Sequence, residues 1–126
     1  MVEHKMPTVL VVDDSADTVL VLTRLLEGIN CRVVGAGNGE EAIAVALRAR
    51  PDLILMDLHM PVMDGLEATR RMRRLPELCG VPILAVTAYD VYGIREGALE
   101  AGCDEYLTKP LRFDELRKNL LPFLPF

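Results

Sequence analysis

No run of apolar residues in this 126-residue chain approaches the length that a bilayer crossing demands. Met1 to Lys5 is polar and carries no apolar core of a secretion signal. Cysteine is scarce: Cys31, Cys79 and Cys103 are odd in number, far apart and without metal-ligand spacing. That pattern points away from a disulfide framework and towards reduced thiols in a cytoplasmic protein. An excess of basic residues is also missing. The net charge is −5, which argues against direct nucleic-acid binding, and no stretch argues for a membrane partner. There is no internal repeat and no sign of a second domain. What remains is 51% hydrophobic and 26% charged residues, the balance of a soluble globular chain with a real core. The reading is one domain over residues 1–126, with its core at about 8–121 and a short apolar C-terminal tail.

The clearest stretch is L-I-L-M-D-L-H-M-P-V-M-D-G, Leu53 to Gly65. Leu53 to Met56 is apolar without alternation, as in a strand buried on both faces, and it ends at Asp57. Asp64, followed three residues later by Glu67, reads as the start of a helix running to about Arg74. Thr8 to Val12 is a second such run, ending in Asp13-Asp14. Ser15 or Asp17 can cap a helix with Val19, Leu22, Leu25, Leu26 and Ile29 on one face, stopped by Gly28 and Asn30. Cys31 to Ala36 is a weaker strand. Asn38 and Glu41 open a helix carrying Ala42, Ile43, Ala46 and Leu47 inward, closed by Pro51. Ile83 to Val86 is strand four, with Thr87 at its end. Helix four is predicted over Asp90 to Ala101, weakened by Gly93 and Gly97 inside it and stopped by Gly102. Asp104 to Leu107 is strand five, followed by Lys109-Pro110. Helix five starts near Arg112, turns Phe113, Leu116, Leu120 and Leu121 inward, and stops at Pro122. The arginines Arg70, Arg71, Arg73 and Arg74 read as a solvated helix face.

Strict alternation of strands and helices implies an α/β domain, a mainly parallel sheet covered on both faces. Strand ends of a parallel sheet share one edge, where ligands bind. Asp13, Asp14, Asp57, Thr87 and Lys109 then meet there. Carboxylates so placed repel each other and raise one another's pKa unless a cation intervenes. Hard oxygen ligands with open positions suit Mg²⁺.

Asp13-Asp14, the stretch from Asp57 to Gly65, Thr87-Ala88 and Lys109-Pro110 together resemble the signature of response-regulator receiver domains, in order and in spacing from Thr8 to about Leu121. Met63 to Arg70 is especially similar to receivers joined to hybrid sensor kinases. The resemblance implies a doubly wound five-stranded parallel sheet of order 2-1-3-4-5, flavodoxin-like, with five helices. It implies Mg²⁺ held by Asp14, Asp57 and the backbone carbonyl of His59, with Asp13 acting through water. Asp57 becomes the phosphoacceptor, Lys109 and Thr87 meet the phosphoryl oxygens, and the Lys109–Pro110 bond is cis. Thr87 and Tyr106 form the switch, and His59 and Tyr89 tune the lifetime of the phosphorylated state. The partners implied are a histidine kinase or histidine phosphotransfer domain as donor, and a downstream protein reached through the face of helix four, strand five and helix five. This is a signalling switch in a two-component system, acting on itself rather than as an enzyme on a separate substrate. With no DNA-binding module after helix five, output is expected through protein–protein contact, or on a longer chain.

Two rivals fit the residues less well. A phosphatase with an aspartyl nucleophile needs a second acid two positions later, where His59 stands. A flavin protein of this topology needs a Ser, Thr and Gly-rich loop after strand one, where Asp13-Asp14 would repel a phosphate. A phosphate-independent protein-binding module of the same fold is the standing alternative.

Overall fold

The computed structural model describes residues 6–88 and 92–125. Five strands alternate with helices: β1 Thr8–Val12, α1 Ala16–Glu27, β2 Arg32–Ala36, α2 Gly39–Ala49, β3 Leu53–Asp57, α3 Gly65–Arg73, β4 Ile83–Thr87, α4 Ile94–Ala101, β5 Glu105–Thr108 and α5 Phe113–Leu120. A 3₁₀ turn, Leu121–Phe123, follows α5. All pairings are parallel and the order is β2-β1-β3-β4-β5, as expected.

The apolar strands have no polar alternation because both of their faces are covered. Leu10, Val12, Ile54, Met56, Ile83 and Ala85 point to one side, where they meet Ala42, Ala46, Ala68, Met72 and Ala98 of α2, α3 and α4. Val9, Val11, Leu53, Leu55, Leu84 and Val86 point to the other, against Leu22, Leu26, Leu116 and Leu120 of α1 and α5. Each fully buried Leu or Ile contributes about 1.5–3 kcal/mol over an exposed one. Two such layers hold the central strands β1, β3 and β4 in place, and with them the residues at their C-terminal ends.

Local signals set the helix starts. Ser15 Oγ accepts the Thr18 N–H, Asn38 Oδ1 the Glu41 N–H and Asp64 Oδ1 the Glu67 N–H. Of the two candidate caps for α1, Ser15 is the one used. Two expectations need correction. Helix four starts at Ile94, because Gly93 has φ 84°, a left-handed conformation that ends a helix rather than continuing one. Asp90 lies outside the described residues. In α5 only Leu116 and Leu120 are buried, while Phe113 and, in the turn just after the helix, Leu121 are 44% and 38% exposed. Phe113 sits in the first turn and leans on Gly28 at the end of α1, instead of entering the core. The apolar tail folds back through Leu124, which is buried against the α1–α5 layer, with Phe123 partly buried beside it.

Candidate functional site

Asp13 ends the run of β1, and Asp57 and Thr87 close β3 and β4, all three nearly inaccessible. Asp14 follows Asp13 and is exposed. Carboxylate oxygens of Asp13, Asp14 and Asp57 all lie within 4.8 Å of one another. From the far side, the Lys109 ammonium donates to Asp13 Oδ2 at 2.5 Å and lies 3.6 Å from Asp57 Oδ2. Lys109 is carried there by the loop after β5, its backbone N–H bonded to the Thr87 carbonyl, and the Lys109–Pro110 peptide is cis as expected. Two backbone donors complete the cluster. Ser15 N–H reaches Asp13 Oδ1 at 2.9 Å, and His59 N–H reaches Asp57 Oδ1 at 3.2 Å.

The electrostatics follow from that crowding. Burial raises the Asp57 pKa from its ordinary value, and the charges of Asp13 and Asp14 add to it. The His59 N–H and Lys109 pull the other way without cancelling the rise. Lys109 is partly buried, which by itself would lower its pKa, but the carboxylates of Asp13 and Asp57 outweigh burial and raise it. Three acids against one ammonium leave an excess of negative charge in a cleft of about 270 Å³, lined by Asp13, Asp14, Ser15, Asp57, His59, Ala88 and Lys109. A compact hard-oxygen set with excess negative charge and an open mouth fits a small divalent cation such as Mg²⁺.

His59 is exposed at the mouth of this cleft. Tyr89 lies outside the described residues. Tyr106 pairs in register with Ala85, two residues before Thr87 on β4. Residues two apart share a face, so Thr87 is on the same side of the sheet as Tyr106, which is half-buried against the α2–α4 layer. The structure therefore brings together Asp13, Asp14, Asp57, His59 and Lys109 around one cleft. Thr87 is at the same edge, and Tyr106 lies behind it.

Two residues escaped the sequence reading. A Cβ on Gly65 would sit 2.2 Å from the Asp57 carbonyl oxygen, so only glycine lets α3 start directly under Asp57. The visible signal was a glycine immediately after the capping Asp64, where a good helix former is expected. Arg73 is the second, and for it the solvated-face expectation is wrong. Its guanidinium bonds the carbonyls of Gly102, Leu78, Cys79 and Val81 and the carboxylate of Asp104. Arg70 and Arg71 do face solvent, paired with Glu67.

Comparison with known proteins agrees with this geometry. A family model described as the response regulator receiver domain matches residues 9–121. The polar-differentiation response regulator DivK of Brucella anthropi is 36% identical over 117 residues, covering 90% of this chain and 95% of DivK. Among solved structures, the chemotaxis protein CheY4 of Vibrio cholerae superposes with a TM-score of 0.90 at 32% identity, over 95% of this chain and 100% of that one. The receiver domain of the sensor histidine kinase PA1611 from Pseudomonas aeruginosa, solved with a magnesium ion coordinated in its active-site cleft, gives 0.87 at 37% identity, over 94% and 98%.

Proposed function

This chain belongs to the response-regulator receiver family, and from that premise we propose that Asp57 takes a phosphoryl group from a partner's phosphohistidine and thereby switches a protein-binding face. The observation that carries the proposal is the Asp13, Asp14 and Asp57 cluster with Lys109 Nζ 3.6 Å from Asp57 Oδ2. In the transfer, the phosphorus–nitrogen bond of the donor breaks, its electron pair stays on the imidazole, and a phosphorus–oxygen bond forms to the Asp57 carboxylate. Asp57 and the carbonyl of His59, with Asp14 and, through water, Asp13, are the groups that would hold Mg²⁺. When bound, that ion supplies positive charge to the carboxylates and the phosphoryl oxygens.

The chain's own residues do the rest. Lys109 is held at the cleft by Asp13 and places its charge beside Asp57, so it meets the transferring phosphoryl group without reorganising. The Thr87 hydroxyl, at the end of β4, binds a phosphoryl oxygen once one is present. Its movement opens room on the face it shares with Tyr106, and the ring follows inward. A local charge thus biases a bistable element, and the α4–β5–α5 surface reads it out. The donor approaches over the apolar groove of about 490 Å³ that Val21, Leu22, Pro110 and Leu111 line beside Lys109. The only chemistry is on the chain itself, phosphorylation and dephosphorylation of Asp57. The setting in this reading is the cytoplasm; among the described residues no helix is long and apolar enough to cross a membrane.

Incubation with Mg²⁺ and a small phosphodonor tests the reading. A mass increase of about 80 Da, one phosphoryl group, is expected in the wild type and none in Asp57→Asn. An unmodified wild type would overturn the proposal in favour of a phosphate-independent module, and full labelling of Asp57→Asn would move the acceptor elsewhere.

A further inference from the structure

Helix α4 is held very differently at its two ends. At its start, Gly93 offers no side-chain cap, and Gly97 has open space where a side chain would be. At its end, the Gly102 N–H bonds the Leu99 carbonyl, the Cys103 N–H bonds the Ala98 carbonyl, and Cys103 itself is buried. Arg73 of α3 then grips that end. Its Nε donates to the Gly102 carbonyl at 2.9 Å and its Nη2 to Asp104 Oδ2 at 3.0 Å. The same Asp104 oxygen accepts the Ile83 N–H at 2.8 Å, which ties the grip to the start of β4. The remaining guanidinium donor reaches the Leu78, Cys79 and Val81 carbonyls of the α3–β4 loop. One planar fork thus joins the end of α3 and the loop just after it to the junction of α4 and β5, 29 to 31 positions away.

The other end of α3 abuts the site. Gly65 packs directly under the Asp57 carbonyl, and one turn later Thr69 Oγ1 donates to the Gly65 carbonyl at 2.7 Å and lies 3.7 Å from Cys103 Sγ. Helix α3 is therefore a strut, with Asp57 at one end and the C-terminus of α4 at the other.

We propose that Arg73 is a positioning residue that makes the C-terminal end of α4 a fixed pivot. The switch face then moves by a swing of the N-terminal half of α4 about that end. The inference rests on the phosphoacceptor reading of Asp57 and adds to it where the motion is anchored.

Backbone-amide NMR of the whole chain, before and after adding Mg²⁺ and beryllium fluoride as a mimic of aspartyl phosphate, tests it. In the wild type, amide shifts over Gly93 to Gly97 should change about threefold more than those over Leu99 to Asp104. In Arg73→Ala the amides of Asp57 to His59 should still respond, while the change spreads into Leu99 to Asp104 and the ratio falls towards one. Arg73→Lys should behave like Arg73→Ala, because one ammonium cannot span the Gly102 carbonyl, Asp104 and the loop carbonyls together. Arg71→Ala, on the same helix and paired with Glu67, should keep the wild-type gradient. Equal change in both halves of wild-type α4, or an unaltered gradient in Arg73→Ala, overturns the pivot. Should Arg73→Ala fail to fold, Asp104→Asn removes the ion pair and keeps an acceptor for Ile83, and its gradient must flatten. Silence at Asp57 to His59 in the wild type defeats the phosphoacceptor reading itself, and the pivot with it.

Discussion

Asp57 shows what one buried carboxylate costs when the ammonium nearby, Lys109, sits closer to Asp13 than to it. Its pKa in the folded chain is raised, chiefly by burial and then by Asp13 and Asp14. A raised folded pKa means that the native state holds the proton more tightly than the unfolded chain does. That contribution to stability is complete below the unfolded value near 3.9 and is lost as pH rises through the folded value. Without divalent cations, Asp57→Asn should therefore match wild type in acid and exceed it at neutral pH, by on the order of 1 kcal/mol. Urea melts across this range check it; a gap that narrows as pH rises would reverse the sign. Gly65→Ala acts at the same spot from below. Its Cβ would meet the Asp57 carbonyl at 2.2 Å, and backbone cannot rotate away, so a loss of about 1–3 kcal/mol is expected. Labelling of Asp57 should slow far more than stability falls, because a shift of about 1 Å can cost a hundredfold in rate. A variant that folds less stably but labels at the wild-type rate would show that α3 does not position the acceptor. His59 at the cleft mouth has a different part. We expect its ring to obstruct the water that would attack the phosphorus of the phosphorylated Asp57, so His59→Ala should lose phosphate faster, with little pH dependence. Slower loss in His59→Ala, with a wild-type rate that climbs with pH, would make His59 a general base instead.

At the scale of elements, the stops and starts divide by how local their causes are. Ser15, Asn38 and Asp64 are caps whose partner is three residues away, and each was visible as a pattern in the sequence. The start of α4 depends on the positive φ of Gly93, which composition alone does not separate from a glycine tolerated inside a helix. The exposure of Phe113 depends on where the end of α1 lies, and the grip of Arg73 on carbonyls up to 29 positions away. A run of arginines on a helix carries no mark saying which one is turned inward. The C-terminal tail is a similar case, since its apolarity was plain and its docking site was not. Leu124 is buried against the α1–α5 layer, so the segment after α5 is part of the core. Leu124→Ala should cost about 2–3 kcal/mol, and removal of residues 123–126 at least as much. Thermal melts decide this: unchanged stability on removal, with only self-association lost, would make the tail a surface patch.

The whole molecule was legible because its central strands β1, β3 and β4 are uninterrupted apolar runs that end in polar residues. Only a parallel sheet covered on both faces buries such runs, and it brings their ends to one edge whatever the details of the helices. That topology alone gathers Asp13, Asp14, Asp57, Thr87 and Lys109. It does not show that Lys109 bonds Asp13 more closely than it approaches Asp57, which depends on side-chain reach across the cleft. That preference leaves Asp57 under-neutralised, so a bound divalent cation is expected to add to the domain's stability. A ligand bound by the native state alone stabilises it by about 2.7 kcal/mol at a hundredfold excess over its dissociation constant. For a domain of this size that is a melting-point rise of roughly 10 °C. Wild type should show it with Mg²⁺, and Na⁺ at matched ionic strength should not reproduce it. Asp57→Asn keeps Asp13 and Asp14 but loses an anionic ligand, so it should start from the higher melting point and gain less than about half as much from Mg²⁺. The two gains share one cause, carboxylate repulsion, relieved in one case by the mutation and in the other by the ion. If Mg²⁺ raises both proteins equally, it is screening a chain of net charge −5 rather than binding at Asp57.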